Sequence, residues 1–148
     1  MMAATATRTD NGVFPPHGSR PMPPPLVFVY GSLRRGGDAH ARLRAVAVRL
    51  GPASIIGRLY DLGPYPAARP ARRPRERVHG ELYRLTRRAA LAALDRYEAC
   101  DPPAGATPEY RRETVPVEHA GRQRHAWVYW YARPLRGARR LPGGVWHP

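Results

Sequence analysis

Lysine is missing altogether from this 148-residue chain, so the 25 residues counted as Lys+Arg are all arginine. They outnumber the 11 Asp and Glu and leave a formal net charge of +14. Such an excess raises nucleic acid as a partner. Its uniformity, beside 14 glycines and 18 prolines, reads as GC-rich codon bias as much as selection for a polyanion. The aromatics that a single-strand binder interleaves with its basic groups are also missing. A nucleic-acid partner is therefore disfavoured. Cysteine is nearly absent too: one thiol, Cys100, excludes an internal disulfide and a cysteine-rich metal site. A cytoplasmic location fits that usage. No apolar run approaches the roughly 20 residues of a spanning helix, and the first residues lack the apolar core of a secretory signal.

What is present divides into a tail, a domain and a second tail. Residues 1–24 hold Pro15, Pro16, Pro21, Pro23 and Pro24 but few bulky apolar groups beyond Val13 and Phe14. They cannot bury enough surface to offset the entropy of ordering a backbone, and read as a flexible tail. Residues 25–135 have the length of one domain, commonly about 100–150 residues. Residues 136–148, rich in Arg, Gly and Pro, read as a C-terminal tail laid on the surface.

Within the domain, Leu26–Tyr30 is a short, continuous apolar run that predicts a buried strand. Gly31 and Ser32 end it, and Asp38 is placed to cap a helix over 39–48, with Leu43, Ala47 and Leu50 at helical spacing. A second strand is expected over 53–61, with Gly57 marking a bulge. A proline-rich loop follows, including the basic run Arg69–Arg77. Alternation returns over 77–85, with Val78, Gly80 and Leu82 on one face and His79, Glu81, Tyr83 and Leu85 on the other. Thr86 is offered as the cap of a helix over 87–99, which Asp101-Pro102-Pro103 stops. Strands over 110–118 and 124–131 complete an α+β domain, a small mixed sheet or β-barrel with flanking helices.

Two features carry chemistry. The Gly31-Ser32 turn, leading from a buried strand toward a helix, gathers backbone N–H groups that suit a carboxylate or phosphate; most such turns are only turns. The second is Glu98. At about 100° per residue it falls between Leu91 and Leu94 on the apolar stripe of the 87–99 helix, with Asp95 and Tyr97 at the edges. Burial and the negative end of the helix dipole both disfavour its charged form and make it a stronger proton acceptor. Pairing with one of the many arginines is the competing reading, and geometry leaves both open. Cys100 is a structural thiol before it is a nucleophile. His79, His119 and His125 lack metal-ligand spacing. Trp127, Tyr129, Trp130 and Tyr131 alternate as packing residues do. The Arg69–Arg77 loop is a solvated segment, a lid for an anionic substrate or a polyanion contact.

Taken in order, several segments resemble the gamma-glutamylcyclotransferase-like family. They are Tyr30-Gly31-Ser32-Leu33, Gly57–Gly63 with Tyr65-Pro66, Val78–Tyr83, Leu94–Glu98, Tyr110–Arg112 with Val115–Val117, and Ala126–Tyr129. The likeness spans roughly residues 26–132. It implies a compact barrel and an enzyme needing neither metal nor coenzyme. It also implies that a γ-glutamyl amine or peptide is cyclised to 5-oxoproline with release of the amine. By the same likeness Glu98 is the proton acceptor, and Tyr30, Gly31, Ser32 and Leu33 hold the glutamyl end. Tyr110 is added as a further hydroxyl lining the pocket. Ala99-Cys100 stands where the family carries glycine after its glutamate. A non-catalytic small-molecule or polyanion-binding domain on the same fold is the alternative.

Overall fold

The computed structural model of the chain describes residues 25–31, 40–98 and 106–147; the 1–24 tail lies outside them. Chain order is β1 (Leu26–Val29), α1 (His40–Arg44), β2 (Ala47–Asp61), β3 (Pro66–Pro70), β4 (Arg77–Leu85), α2 (Ala90–Tyr97), β5 (Tyr110–His119), β6 (Arg122–Tyr131) and β7 (Arg139–Arg140). Strands β2, β4, β1, β6 and β5 are neighbours in that sequence, and a β2–β5 pairing at Ser54 and Glu118 closes them into a barrel. Closure satisfies the ladder edges that an open sheet would leave bare. β3 and β7 are extra strands on the C-terminal half of β2. The expected α+β barrel is the fold. Among the described residues no helix is long and apolar enough to cross a membrane.

β1 is central, antiparallel to β4 and parallel to β6. Its continuous apolar run follows from having both faces covered. Phe28 and Tyr30 join the barrel interior with Leu82, Val128 and Trp130. Val27 and Val29 face outward, against Leu43 of α1 and Leu91 and Leu94 of α2. β4 divides similarly, with Val78 and Leu82 inward and Tyr83 and Leu85 outward. Between them Gly80 is required by contact: a Cβ there would lie 2.1 Å from the Val29 carbonyl oxygen.

Several local expectations change. Among the described residues the first helix covers His40–Arg44, and β2 already begins at Ala47. The β-branched Val46 and Val48 and the Gly51-Pro52 break favour extended backbone over a continued helix. The bulge falls between Arg49 and Gly51, where Gly51 has φ +133°, rather than at Gly57. Part of the expected loop is strand β3, an edge strand with proline at each end, where a missing N–H costs least. Thr86 does not cap α2. Its hydroxyl donates to the Val46 carbonyl, and the cap position is Ala89, with no side-chain bond.

Nor does packing stop near residue 135. Strand β7 pairs Arg139 and Arg140 with Asp61 and Tyr60. The Leu141 N–H donates to the Leu59 carbonyl and the His79 N–H to that of Gly144. Trp146 is 3% exposed, inside the barrel cluster. The low hydrophobicity of the segment hides one large anchor, and a single buried Trp brings as much apolar surface as several small residues. Replacing it should create a cavity costing roughly 3–5 kcal/mol. Trp146→Ala is expected to lower the denaturant midpoint accordingly at unchanged slope. A change under about 0.5 kcal/mol, the ordinary surface range, would show the segment to be a passive tail.

Candidate active site

The cavity of interest opens where β1 ends. It has a volume of about 230 Å³ and is lined by Tyr30 and Gly31 from β1's end, Tyr65 and Pro66 from the turn into β3, and Tyr97 and Glu98 from α2's end. Glu109, just before β5, Tyr110 of β5 and Tyr129 of β6 close it. Gly31 permits the wall to form, since a Cβ there would meet the Pro66 ring at 3.1 Å, a distance tighter than ordinary packing. The Tyr30 hydroxyl donates to the Tyr129 carbonyl, fixing β1's end to β6. Ser32 and Leu33, expected in the same loop, lie outside the described residues, as do Ala99 and Cys100.

α2 delivers the carboxylate. Ala90, Leu91 and Leu94 are its buried residues, and Glu98 occupies the C-cap position, its N–H bonded to the Leu94 carbonyl at 2.9 Å. One turn earlier, Asp95 accepts the Tyr129 hydroxyl at 2.8 Å and lies 2.9 Å from Arg112 Nε. The Arg112 guanidinium in turn covers the Trp127 ring, 4.2 Å from its centre. This chain of contacts ties the helix end to β5 and β6, so the direction of Glu98 is set by the barrel wall. The guanidinium of Arg42 covers Tyr97, which stays 38% exposed at the rim.

Opposite Glu98, two dipeptides clasp one another. The Tyr65 hydroxyl donates to the Glu109 carboxylate, and the Tyr110 hydroxyl donates to the Pro66 carbonyl at 2.7 Å. Tyr110 therefore lines the cavity as expected, but its proton is already given to Pro66. It can accept from a ligand or pack on one. Burial pushes the Tyr110 phenol well above its ordinary range. The bond to Glu109, then burial, pushes that of Tyr65 up to about 12. Both remain neutral donors at physiological pH.

Glu98 behaves differently. Burial, and secondarily the Glu109 charge, push its carboxyl up to about 8. The residue keeps partial solvent access, consistent with the face it turns to the cavity. Among the described residues no arginine pairs with it, so the competing ion-pair reading finds no partner there. Helical periodicity places Glu98 on a buried face. Glu109, Tyr65 and Pro66 escape such a reading because they come from turns without period. The one local signal was an acid immediately before a tyrosine that opens a strand. Among the described residues no His, Cys, Asp and Glu cluster has the makings of a metal site.

A carboxyl whose proton affinity rises on folding stabilises the fold least when ionised. The folded state holds the extra proton between pH about 4.5, the unfolded value, and about 8, so wild-type stability falls as pH rises across that window. Glu98→Gln removes the penalty. It should match wild type near pH 4.5 and gain on it up to pH 8, by an amount on the order of a few kcal/mol, reduced by screening through the cavity. Denaturant titrations across the window check this. A difference independent of pH would mean the carboxyl is not desolvated.

Comparisons with known proteins bear on the family and the fold. The family profile described as gamma-glutamyl cyclotransferase, AIG2-like, matches residues 27–148. The gamma-glutamylcyclotransferase family protein YtfP of Escherichia coli K12 is 38% identical over 122 residues, covering 81% of this chain and 94% of that protein. The solution structure of E. coli ytfP superposes with a TM-score of 0.60 at 35% identity, over 82% of this chain and 95% of that one. An aig2-like protein of Mus musculus, at 22% identity and TM-score 0.64 over 86% and 97% of the two chains, shares the fold. The chain belongs to the gamma-glutamyl cyclotransferase, AIG2-like family.

Proposed function

We propose that the protein cyclises a γ-glutamyl amine or peptide to 5-oxoproline, releasing the amine, with Glu98 as general base. The observation that carries this reading is a desolvated carboxyl without an arginine partner among the described residues, facing a cavity beside the end of β1. Family membership supports it, and the size of the cavity suits a glutamyl group.

The substrate's α-nitrogen attacks the carbonyl carbon of its own side-chain amide. The ring C–N bond forms, a tetrahedral intermediate results, and the bond to the departing amine breaks. An ammonium cannot attack, so one proton must first leave the α-nitrogen for Glu98. The carboxyl near 8 lies close to the range of α-amino groups, about 7.7–8.0, so neither direction of transfer is steeply uphill. Glu98 then hands that proton to the departing nitrogen, and the ring nitrogen's second proton follows, so the lactam keeps one N–H and the amine leaves as an ammonium. Folding the substrate so that the attack is intramolecular supplies much of the rate. Backbone N–H groups of the Tyr30–Leu33 loop hold the glutamyl end, where donors near the amide oxygen would stabilise the developing negative charge. The Tyr110 ring packs on the bound glutamyl chain.

Incubation with a panel of γ-glutamyl amines and peptides, following 5-oxoproline, tests the assignment. Turnover is expected from at least one member, with Glu98→Gln losing activity by a factor of at least about 10²–10⁴, the usual worth of a general base. A folded Glu98→Gln with full activity, or no product from a broad panel, would overturn it. The non-catalytic binding domain is the reading that the second result would favour.

The pH profile is a separate check. The base must be ionised to act, and Glu98 holds its proton up to about 8. Thus kcat/KM should climb with pH through neutrality and level off above about 8. A profile flat from pH 5 to 7 would place the working base elsewhere.

A further inference from the structure

In so basic a chain, an acid without an arginine is unusual. Asp61 lies 3.1 Å from Arg139, Glu76 2.7 Å from Arg58 and 2.9 Å from Arg140, and Glu81 3.2 Å from Arg49. Asp95 pairs with Arg112, Glu113 with Arg111 at 3.2 Å, and Glu118 with Arg77 at 3.7 Å. Among the described residues two acids stand apart from this pattern, Glu98 and Glu109, and both line the same 230 Å³ cavity. The remaining polar groups of that wall are tyrosine hydroxyls and backbone. Among the described residues that line it, the cavity presents two carboxyls with neutral aromatic surroundings and no cation, and a ligand can supply one.

We propose that Glu109, held in place by Tyr65, is the second carboxylate of the site and receives the substrate's α-ammonium group. The inference deepens the cyclotransferase reading and rests on it. A carboxylate offers about four acceptor positions. Tyr65 fills one and fixes the group's orientation without neutralising its charge. The three donors of an ammonium can then be shared between Glu109 and Glu98. Held this way, the cation enters in the form that dominates at neutral pH.

Binding by Glu109 does not oppose the later proton transfer. Its charge attracts the proton whether that proton sits on the substrate nitrogen or on Glu98. Among the described residues the ionisable groups that line the cavity with Glu98 are Tyr97 beside it on α2, Tyr30 just after β1, Tyr65 from the turn before β3, Glu109 just before β5, Tyr110 of β5 and Tyr129 of β6. Of these Glu109 is the charged one, and it contributes to the raised proton affinity of Glu98. Removing its charge should therefore move the rising limb of the pH profile to lower pH. A merely structural role would not produce that shift.

The test uses two probes of the full chain. L-Glutamine is the smallest γ-glutamyl amide and carries an ammonium; 5-oxoproline has the same skeleton and none. Glutamine binding is measured by calorimetry in the Glu98→Gln background, where turnover is blocked, with and without Glu109→Gln. 5-Oxoproline binding is compared between wild type and Glu109→Gln. The expected result is a loss of about tenfold or more for glutamine and less than about twofold for 5-oxoproline, from the worth of a charge-assisted bond. Tyr65→Phe, which keeps the charge, should lose clearly less than Glu109→Gln. Unchanged glutamine affinity, equal weakening of both ligands, or no glutamine binding by Glu98→Gln would overturn the proposal. Failure of the general-base reading is recognised separately, by 5-oxoproline formation that survives Glu98→Gln whatever Glu109→Gln does to binding.

Discussion

Desolvation of the Glu98 carboxyl is the constraint on which the arrangement turns. An isolated carboxylate in low-dielectric surroundings gives up its charge unless something holds it there. Here it sits at the end of α2, with the helix's apolar side packed on the outer face of β1. If α2 could rock, water would reach the carboxyl and return it to ordinary behaviour. Leu91 and Leu94 give the helix its seat. The Asp95 contacts with Tyr129 and Arg112 fix the helix end against the barrel wall. The position of an acid without an arginine partner among the described residues thus depends on a neighbouring acid that has one.

The barrel makes this possible through β1. Among the described strands β1 and β6 form the parallel pair, and the C-terminal end of β1 meets the turn into β3 closely enough to favour Gly31. The chain leaves β1 at the place where α2 ends and β5 begins, so three distant segments meet around one cavity. The two hydroxyl bonds from Tyr65 and Tyr110 hold that junction from the far side. They join strand starts whose backbones would otherwise have loop freedom.

How much of this could be read from the chain follows from what each part depends on. β1, β4 and β6 show themselves in local pattern, because burial on both faces demands apolar runs or strict alternation. So does the buried face of α2, and with it Glu98. The α1–β2 boundary was misplaced because Leu43, Ala47 and Leu50 satisfy a helical spacing that the β-branched residues and Gly51 contradict locally. Strand β3 and the Trp146 anchor were missed for another reason. The segment before Trp146 bonds to Leu59 of β2 and His79 of β4, far away in sequence, whereas β3 pairs with β2 across a short turn and is hidden by prolines and arginines that carry the usual marks of a loop. The clasp of Tyr65 and Pro66 with Glu109 and Tyr110 is likewise long-range, and no periodicity announces it.

So arginine-rich a composition still leaves two acids without an arginine partner among the described residues. With arginine so abundant, a random acid at the surface finds a guanidinium nearby, as Asp61, Glu76 and Glu118 do. To remain unpaired an acid must be walled by groups that exclude long cationic side chains, and tyrosines do this while still offering hydroxyls. The ring of Tyr30, Tyr65, Tyr97, Tyr110 and Tyr129 around the cavity meets that need. Several of these hydroxyls are engaged by the protein itself, three of them with Tyr129 carbonyl, Glu109 and Pro66. The aromatic wall therefore separates two electrostatic regimes. Among the described residues, acids outside it pair with arginine; inside it, Glu98 keeps a raised affinity for a proton.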